Sequence, residues 1–111
     1  DVTDTNQSAS TLTTLSTNGA NPSNTVQPAL ALAMLTNSST LGSITGITNS
    51  FIQDSMLRTV ATSWIFAAKE LTTTAAVNTT FSWTTARANP AAHLVVFINV
   101  STANGNFFLF M

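Results

Sequence analysis

Few residues in this 111-residue chain could do chemistry. The one histidine, His93, stands among Ala91, Ala92, Leu94 and Val95, a setting that suits a structural imidazole at a strand start. Carboxylates occur at Asp1, Asp4, Asp54 and Glu70, and cysteine is absent. Metal sites draw on closely spaced His, Cys, Asp or Glu; no such spacing is present, so neither a metal nor another cofactor is expected. A Ser-His-Asp arrangement could use His93 and Asp54, but no G-x-S-x-G elbow accompanies the many serines. Paired-carboxylate hydrolysis needs two acids in one cleft. Asp54 and Glu70 bound a stretch with helical periodicity, which would hold them roughly 24 Å apart at 1.5 Å per residue. Gly19, Gly42, Gly46 and Gly105 make neither a dinucleotide fingerprint nor a P-loop. The reading is therefore a non-enzymatic protein.

Other groups are suited to binding. Trp64 and Trp83 could stack on sugar rings, although tryptophan in such surroundings also serves as core. N-x-Ser/Thr triplets at Asn6, Asn37, Asn78 and Asn99 are possible glycosylation positions. A chain with 21 Thr, 12 Ser and 11 Asn yields about three such triplets by chance, so their number carries little weight.

The elements that must position these residues divide by composition. Residues 1–25 are nearly all Ser, Thr, Asn, Asp and Gly and read as a polar N-terminal arm, leaving 26–111 as a single globular domain. An arm of this kind stays ordered where a neighbouring subunit holds it, which hints at assembly. In residues 26–36, Pro28 followed by Ala and Leu suits a helix start, against an alternation of Leu30, Leu32 and Met34 that suits a strand. Ile44, Ile47, Phe51 and Ile52 recur at helical spacing. From Asp54 to Leu71, Met56, Leu57, Val60, Trp64, Ala67, Ala68 and Leu71 fall on one helical arc with Arg58, Thr62 and Lys69 opposite, which predicts an amphipathic helix. A competing alternation of Val60, Thr62, Trp64 and Phe66 favours a strand.

Beyond Leu71 the composition turns to Thr, Val and aromatic residues. Strands are expected over 77–86, 93–101 and 106–111, with turns at Asn89-Pro90 and Asn104-Gly105, giving a C-terminal antiparallel meander. The strand through Leu94 to Val100 has apolar residues on both faces and should lie centrally in its sheet. The predicted fold is thus α+β, with central amphipathic helices packed on a C-terminal sheet of about three strands. The alternative is an all-β sandwich of about seven strands, which the abundance of Thr favours.

Only 6% of residues are charged, against about 25% in an ordinary soluble domain. Arg58, Lys69 and Arg87 are the cations, too few for a nucleic-acid backbone or an anionic membrane surface. A net charge of −1 gives little repulsion between copies. No segment reaches the ~18 apolar residues of a spanning helix. The chain begins at Asp1, which suggests a processed end such as removal of a signal peptide leaves, and an extracellular, cell-surface or virion-surface location. Phe107, Phe108, Leu109, Phe110 and Met111 form an apolar run suited either to a buried last strand or to contact with a neighbour. Together these features point to a secreted structural subunit of a filament, pilus or coat that associates with copies of itself. A secreted module binding carbohydrate or another ligand through Trp64 or Trp83 is the alternative.

Overall fold

The computed structural model describes residues 2–20, 28–58, 62–73 and 75–97. Among them the chain forms eight β-strands and no helix. The strands are β1 (Val2–Gln7), β2 (Leu12–Ser16), β3 (Ala29–Asn37), β4 (Ile44–Ile47), β5 (Ile52–Arg58), β6 (Ser63–Leu71), β7 (Thr80–Arg87) and β8 (Ala91–Phe97). A five-stranded antiparallel sheet has the order β1-β8-β3-β6-β5, and a three-stranded one the order β2-β7-β4. The pairing is nested: β1 lies against β8, β2 against β7 and β3 against β6. That is the winding of a long hairpin rolled across two sheets, the jelly-roll arrangement. β5 departs from full nesting, because it pairs with β6 in the larger sheet and not with β4.

The α+β expectation is therefore overturned, and the sandwich alternative fits in part, with eight strands described instead of about seven. The region read as one amphipathic helix, Asp54 to Leu71, lies largely in β5 and β6. Residues 59–61 fall outside the described residues, so Val60 carries no structural reading. β6 is paired on both edges, by β3 and β5, and carries apolar groups on both faces. A strand of that kind is an almost continuous apolar run from which a helical period can also be read. Ser63, Ile65, Ala67 and Leu71 point inward while Trp64, Phe66 and Ala68 point outward. Residues 26–36 likewise give a strand from Ala29, with Pro28 just before it. Here pairing on both edges outweighs the helical preference of Ala, Leu and Met. Ile44 and Ile47 belong to β4 and Ile52 to β5, and the intervening Asn49 and Ser50 turn with φ of 59° and 62°.

The C-terminal meander is also corrected. The turn at Ala88–Pro90 does form, with Asn89 at φ 58°, but it carries the chain from one sheet to the other. β7 pairs with β2 and β4, whereas β8 pairs with β1 and β3. β8 is central, as its two apolar faces predict. The third strand expected at 106–111 and the Asn104-Gly105 turn lie outside the described residues. The polar segment 1–25 supplies β1 and β2, one to each sheet.

One hydrophobic core lies between the sheets. β3 contributes Ala29, Ala31, Ala33 and Leu35, β6 Ile65, Ala67 and Leu71, and β8 Ala92, Leu94 and Val96. The smaller sheet contributes Leu15, Phe81 and Trp83, with Leu41 and Phe51 from loops. Small alanines on one sheet leave room for large rings from the other, which is how two layers interdigitate at native packing density. Hydroxyls inside the sandwich are paired. Thr79 N donates to Thr17 Oγ1 at 3.0 Å, and Leu41 N donates to Ser63 Oγ at 3.0 Å.

Candidate functional site

The two outer faces of the sandwich differ in chemistry. Side chains directly opposite on antiparallel strands point to the same face, so the register gives rows across the outside of the five-stranded sheet. Val95, Leu32, Ala68 and Ile52 form one row, which Thr3 extends at the β1 edge. His93, Met34 and Phe66 form the next, with Thr5 at the same edge. Phe97, Leu30 and Glu70 close one end. Leu30 is 46% exposed, Ile52 74% and Phe97 41%, so the apolar surface is open to solvent.

The smaller sheet presents hydroxyls outward. Thr14 Oγ1 lies 3.4 Å from Ser82 Oγ and donates to Phe81 O at 3.0 Å, and Ser16 Oγ lies 2.6 Å from Thr80 Oγ1. Thr80 N also donates to Thr48 Oγ1 at 2.9 Å. This face meets water with neutral hydrogen-bonding groups.

The residues singled out in the sequence separate clearly. Trp83 is 3% exposed in the core, and its indole N–H has no hydrogen-bond partner among the described residues. Trp64 is 45% exposed on the outside of the larger sheet. It borders a depression of about 450 Å³ shared with Gln7, Thr36, Asn37, Ser38, Asn89 and Ala91. His93 is on the same outer face, with Nδ1 3.2 Å from Thr5 Oγ1 on the neighbouring strand.

Asp54 and Glu70 are on adjacent strands, and both border one shallow depression with Leu30, Ile52 and Lys69. The helical separation that kept them apart is thus lost. The Lys69 ammonium is engaged elsewhere, donating to Asn49 O at 2.8 Å and lying 6.0 Å from the Phe51 ring centre. Among the described residues no group of three or more His, Asp or Glu side chains is placed to hold a metal ion.

The glycosylation candidates have distinct settings. Asn37 is buried, with Nδ2 donating to Ala88 O at 2.9 Å and Oδ1 accepting from Ser39 N at 2.8 Å. Asn6 Nδ2 donates to Ser16 O at 2.7 Å, tying β1 to β2. Asn78 is exposed, and its Oδ1 accepts from Asn49 Nδ2 at 2.8 Å. Asn99 and the run Phe107, Phe108, Leu109, Phe110 and Met111 lie outside the described residues. No helix among the described residues is long and apolar enough to cross a membrane.

Sequence reasoning passed over Leu32, Met34, Phe66 and Val95 as a surface. The signal was present in the apolar residues on both faces of β8, but only the register shows that β3 and β6 extend the same patch. Gln7 and Asn89, far apart in the chain, carried no signal by themselves. Comparisons with protein-family models, curated proteins and solved structures found no match to this chain.

Proposed function

We propose that this protein is a non-enzymatic structural subunit of an extracellular assembly, a filament, pilus or coat, that associates with copies of itself through the outer face of its five-stranded sheet. The observation behind this reading is that face's apolar character. Antiparallel sheets commonly keep one face polar and wet, and a contiguous apolar patch of this size marks an interaction surface. Five strands at ~4.8 Å spacing, and the four steps from Leu30 to Met34 at ~3.4 Å each, give an aliphatic face of about 24 by 14 Å. Its projected area is about 340 Å², a little under half of the ~800 Å² that each partner buries in a standard interface. Apolar burial at ~25 cal/mol per Å² drives the association. With so few charges nearby, neither long-range repulsion nor salt screening alters it much.

Light scattering on the purified chain at low and high salt tests the reading. The expected result is a particle several times the 11.7 kDa chain mass at both salt concentrations. Leu32→Lys and Val95→Lys, each placing a charge at the centre of the face, should reduce it to the monomer while the fold persists. An 11.7 kDa species at both salts would exclude self-assembly. Removal of residues 107–111 is a parallel variant. Loss of assembly there, with the lysine variants unaffected, would move the contact to the terminal run.

A further inference from the structure

At its Thr36 end the outer face changes character. The last row runs Trp64, Thr36, Ala91, Gln7 across β6, β3, β8 and β1, a distance of about 14 Å at sheet spacing. Trp64 and Gln7 are large and exposed, whereas Thr36 and Ala91 between them are small and half-buried. Side chains stand roughly perpendicular to a sheet. The row is therefore a groove with an indole wall, a short floor and an amide wall. It is the depression of about 450 Å³ described above, and none of the described residues that line it is charged.

The groove is preformed. The Asn37 amide bonds to both Ala88 O and Ser39 N, holding the loop after β3 to the turn before β8. Arg87 Nε donates to Thr40 O at 2.8 Å, a second tie between those segments. Asn89 is fixed in the left-handed region beside the buried Pro90, whose carbonyl accepts from Ser8 N at 3.2 Å. Thr36 Oγ1 lies 3.4 Å from Ala91 O, so the floor hydroxyl is turned to the neighbouring strand. By contrast, Gln7 and Asn89 line the groove, and their side-chain amides make no hydrogen bond to the described residues.

We infer that this groove binds a neutral oligosaccharide, with Trp64 as the stacking platform and Gln7 and Asn89 as hydrogen-bonding partners for sugar hydroxyls. The chemistry selects this class. A pyranose has an apolar C–H face that packs on an indole and a rim of neutral hydroxyls that primary amides satisfy as both donor and acceptor. An anionic or cationic ligand would find no counter-charge among the described lining residues. An extended peptide is recognised chiefly by main-chain pairing at a sheet edge, whereas this floor is a sheet face. A second copy laid over the groove would bury both amides against apolar side chains, an arrangement that interfaces avoid. The site thus occupies the polar end of the face, apart from the aliphatic rows assigned to self-association, and stands independently of that assignment.

The two tryptophans make the site observable. Trp83 is enclosed and Trp64 is solvated, so a change in the long-wavelength emission and its quenching by iodide reports on Trp64. The full chain is titrated with cellohexaose, chitohexaose and maltohexaose, at a concentration where light scattering shows one species, with calorimetry in parallel. With at least one sugar, the emission should move to shorter wavelength and iodide quenching should fall. Trp64→Ala should weaken binding by about tenfold or more, and Gln7→Ala and Asn89→Ala by several-fold each, with unchanged melting temperature. Trp83→Phe should bind as the parent does. Should that variant fold poorly, Trp64→Phe, which keeps an aromatic face, should retain binding that Trp64→Ala loses. No response to any of the three sugars would overturn the inference, as would binding that survives Trp64→Ala. Protection of Trp64 that follows protein concentration and not sugar would assign the groove to contact between copies.

Discussion

Gly42 shows how closely single residues are constrained. Its φ is +78°, and a Cβ at this position would collide with Thr84 Oγ1 and come within 2.7 Å of Thr85 Oγ1. Gly42→Ala therefore combines a left-handed backbone with steric overlap and should cost about 1–3 kcal/mol, read from the urea midpoint. Asn37 fills a complementary role, since one buried amide satisfies a carbonyl at residue 88 and an N–H at residue 39. Asn37→Ala orphans both and should cost a similar ~1–3 kcal/mol. A glycan at Asn37 would likewise have to displace the bond to Ala88, so mass spectrometry of the folded protein, expressed through a glycosylating host, should find Asn37 unmodified. Trp83 reverses the polar logic, because its buried N–H is already without a partner among the described residues. Trp83→Phe removes that donor along with some packing area, and these opposing terms should leave the unfolding free energy within about 2 kcal/mol of the parent.

Among the elements, β6 tests strand against helix most directly. On the helical reading Ala67 and Ala68 share one apolar arc, and enlarging either should have like consequences. In the sheet they point to opposite sides, Ala67 into the core with no exposure and Ala68 to the outer face. Ala67→Leu should overpack the core and cost about 1–3 kcal/mol, whereas Ala68→Leu should change stability by no more than ~0.5 kcal/mol. Equal effects in denaturant titrations would count against the register. The same element explains why the helix looked convincing. Its Trp, Ile, Phe, Ala and Leu residues serve two apolar faces, and apolar groups on both faces erase the period of two that identifies a half-buried strand. β3 was misread for a related reason, as its Ala and Leu residues favour helices until strands pair on both edges. β8, rich in Val and bounded by Asn89-Pro90, was legible because propensity, turn chemistry and burial agree.

For the whole molecule, the nested winding brings distant segments together. Val2 lies opposite Val96, and Leu12 opposite Arg87. Such pairings require large loops to close before any contact is gained, so folding should take about milliseconds to seconds, as in other sandwiches dominated by non-local contacts. Stopped-flow tryptophan emission measures this, and a microsecond phase carrying the full amplitude would contradict the topology. The winding also leaves the two outer faces chemically unlike, one aliphatic and aromatic, the other lined with hydroxyls. In the proposed assembly the five-stranded sheet should turn inward and the three-stranded sheet toward water. If the proposed assembly forms, hydrogen exchange should protect backbone amides around Leu32 and Val95 more than those around Thr14 and Ser82, relative to the Leu32→Lys variant.

The sequence by itself determined the chemical vocabulary of this protein. It established a scarcity of charge, an abundance of Thr, Ser and Asn, the lack of spaced metal ligands and nucleotide loops in the sequence, and a strand with two apolar faces expected over 93–101, of which the part through Phe97 lies in the described residues. These are properties of composition and short spacing, which persist however the chain folds. The helix-to-strand outcome, the assignment of β7 and β8 to different sheets, and the separation of Trp64 from Trp83 were decided only by tertiary structure. Each depends on which strands become neighbours, and neighbours here are set by pairing across most of the chain. The groove beside Trp64 has the same origin. Gln7, Thr36, Trp64 and Ala91 belong to four different strands, and their side chains form one row only because the sheet order places β1, β8, β3 and β6 side by side.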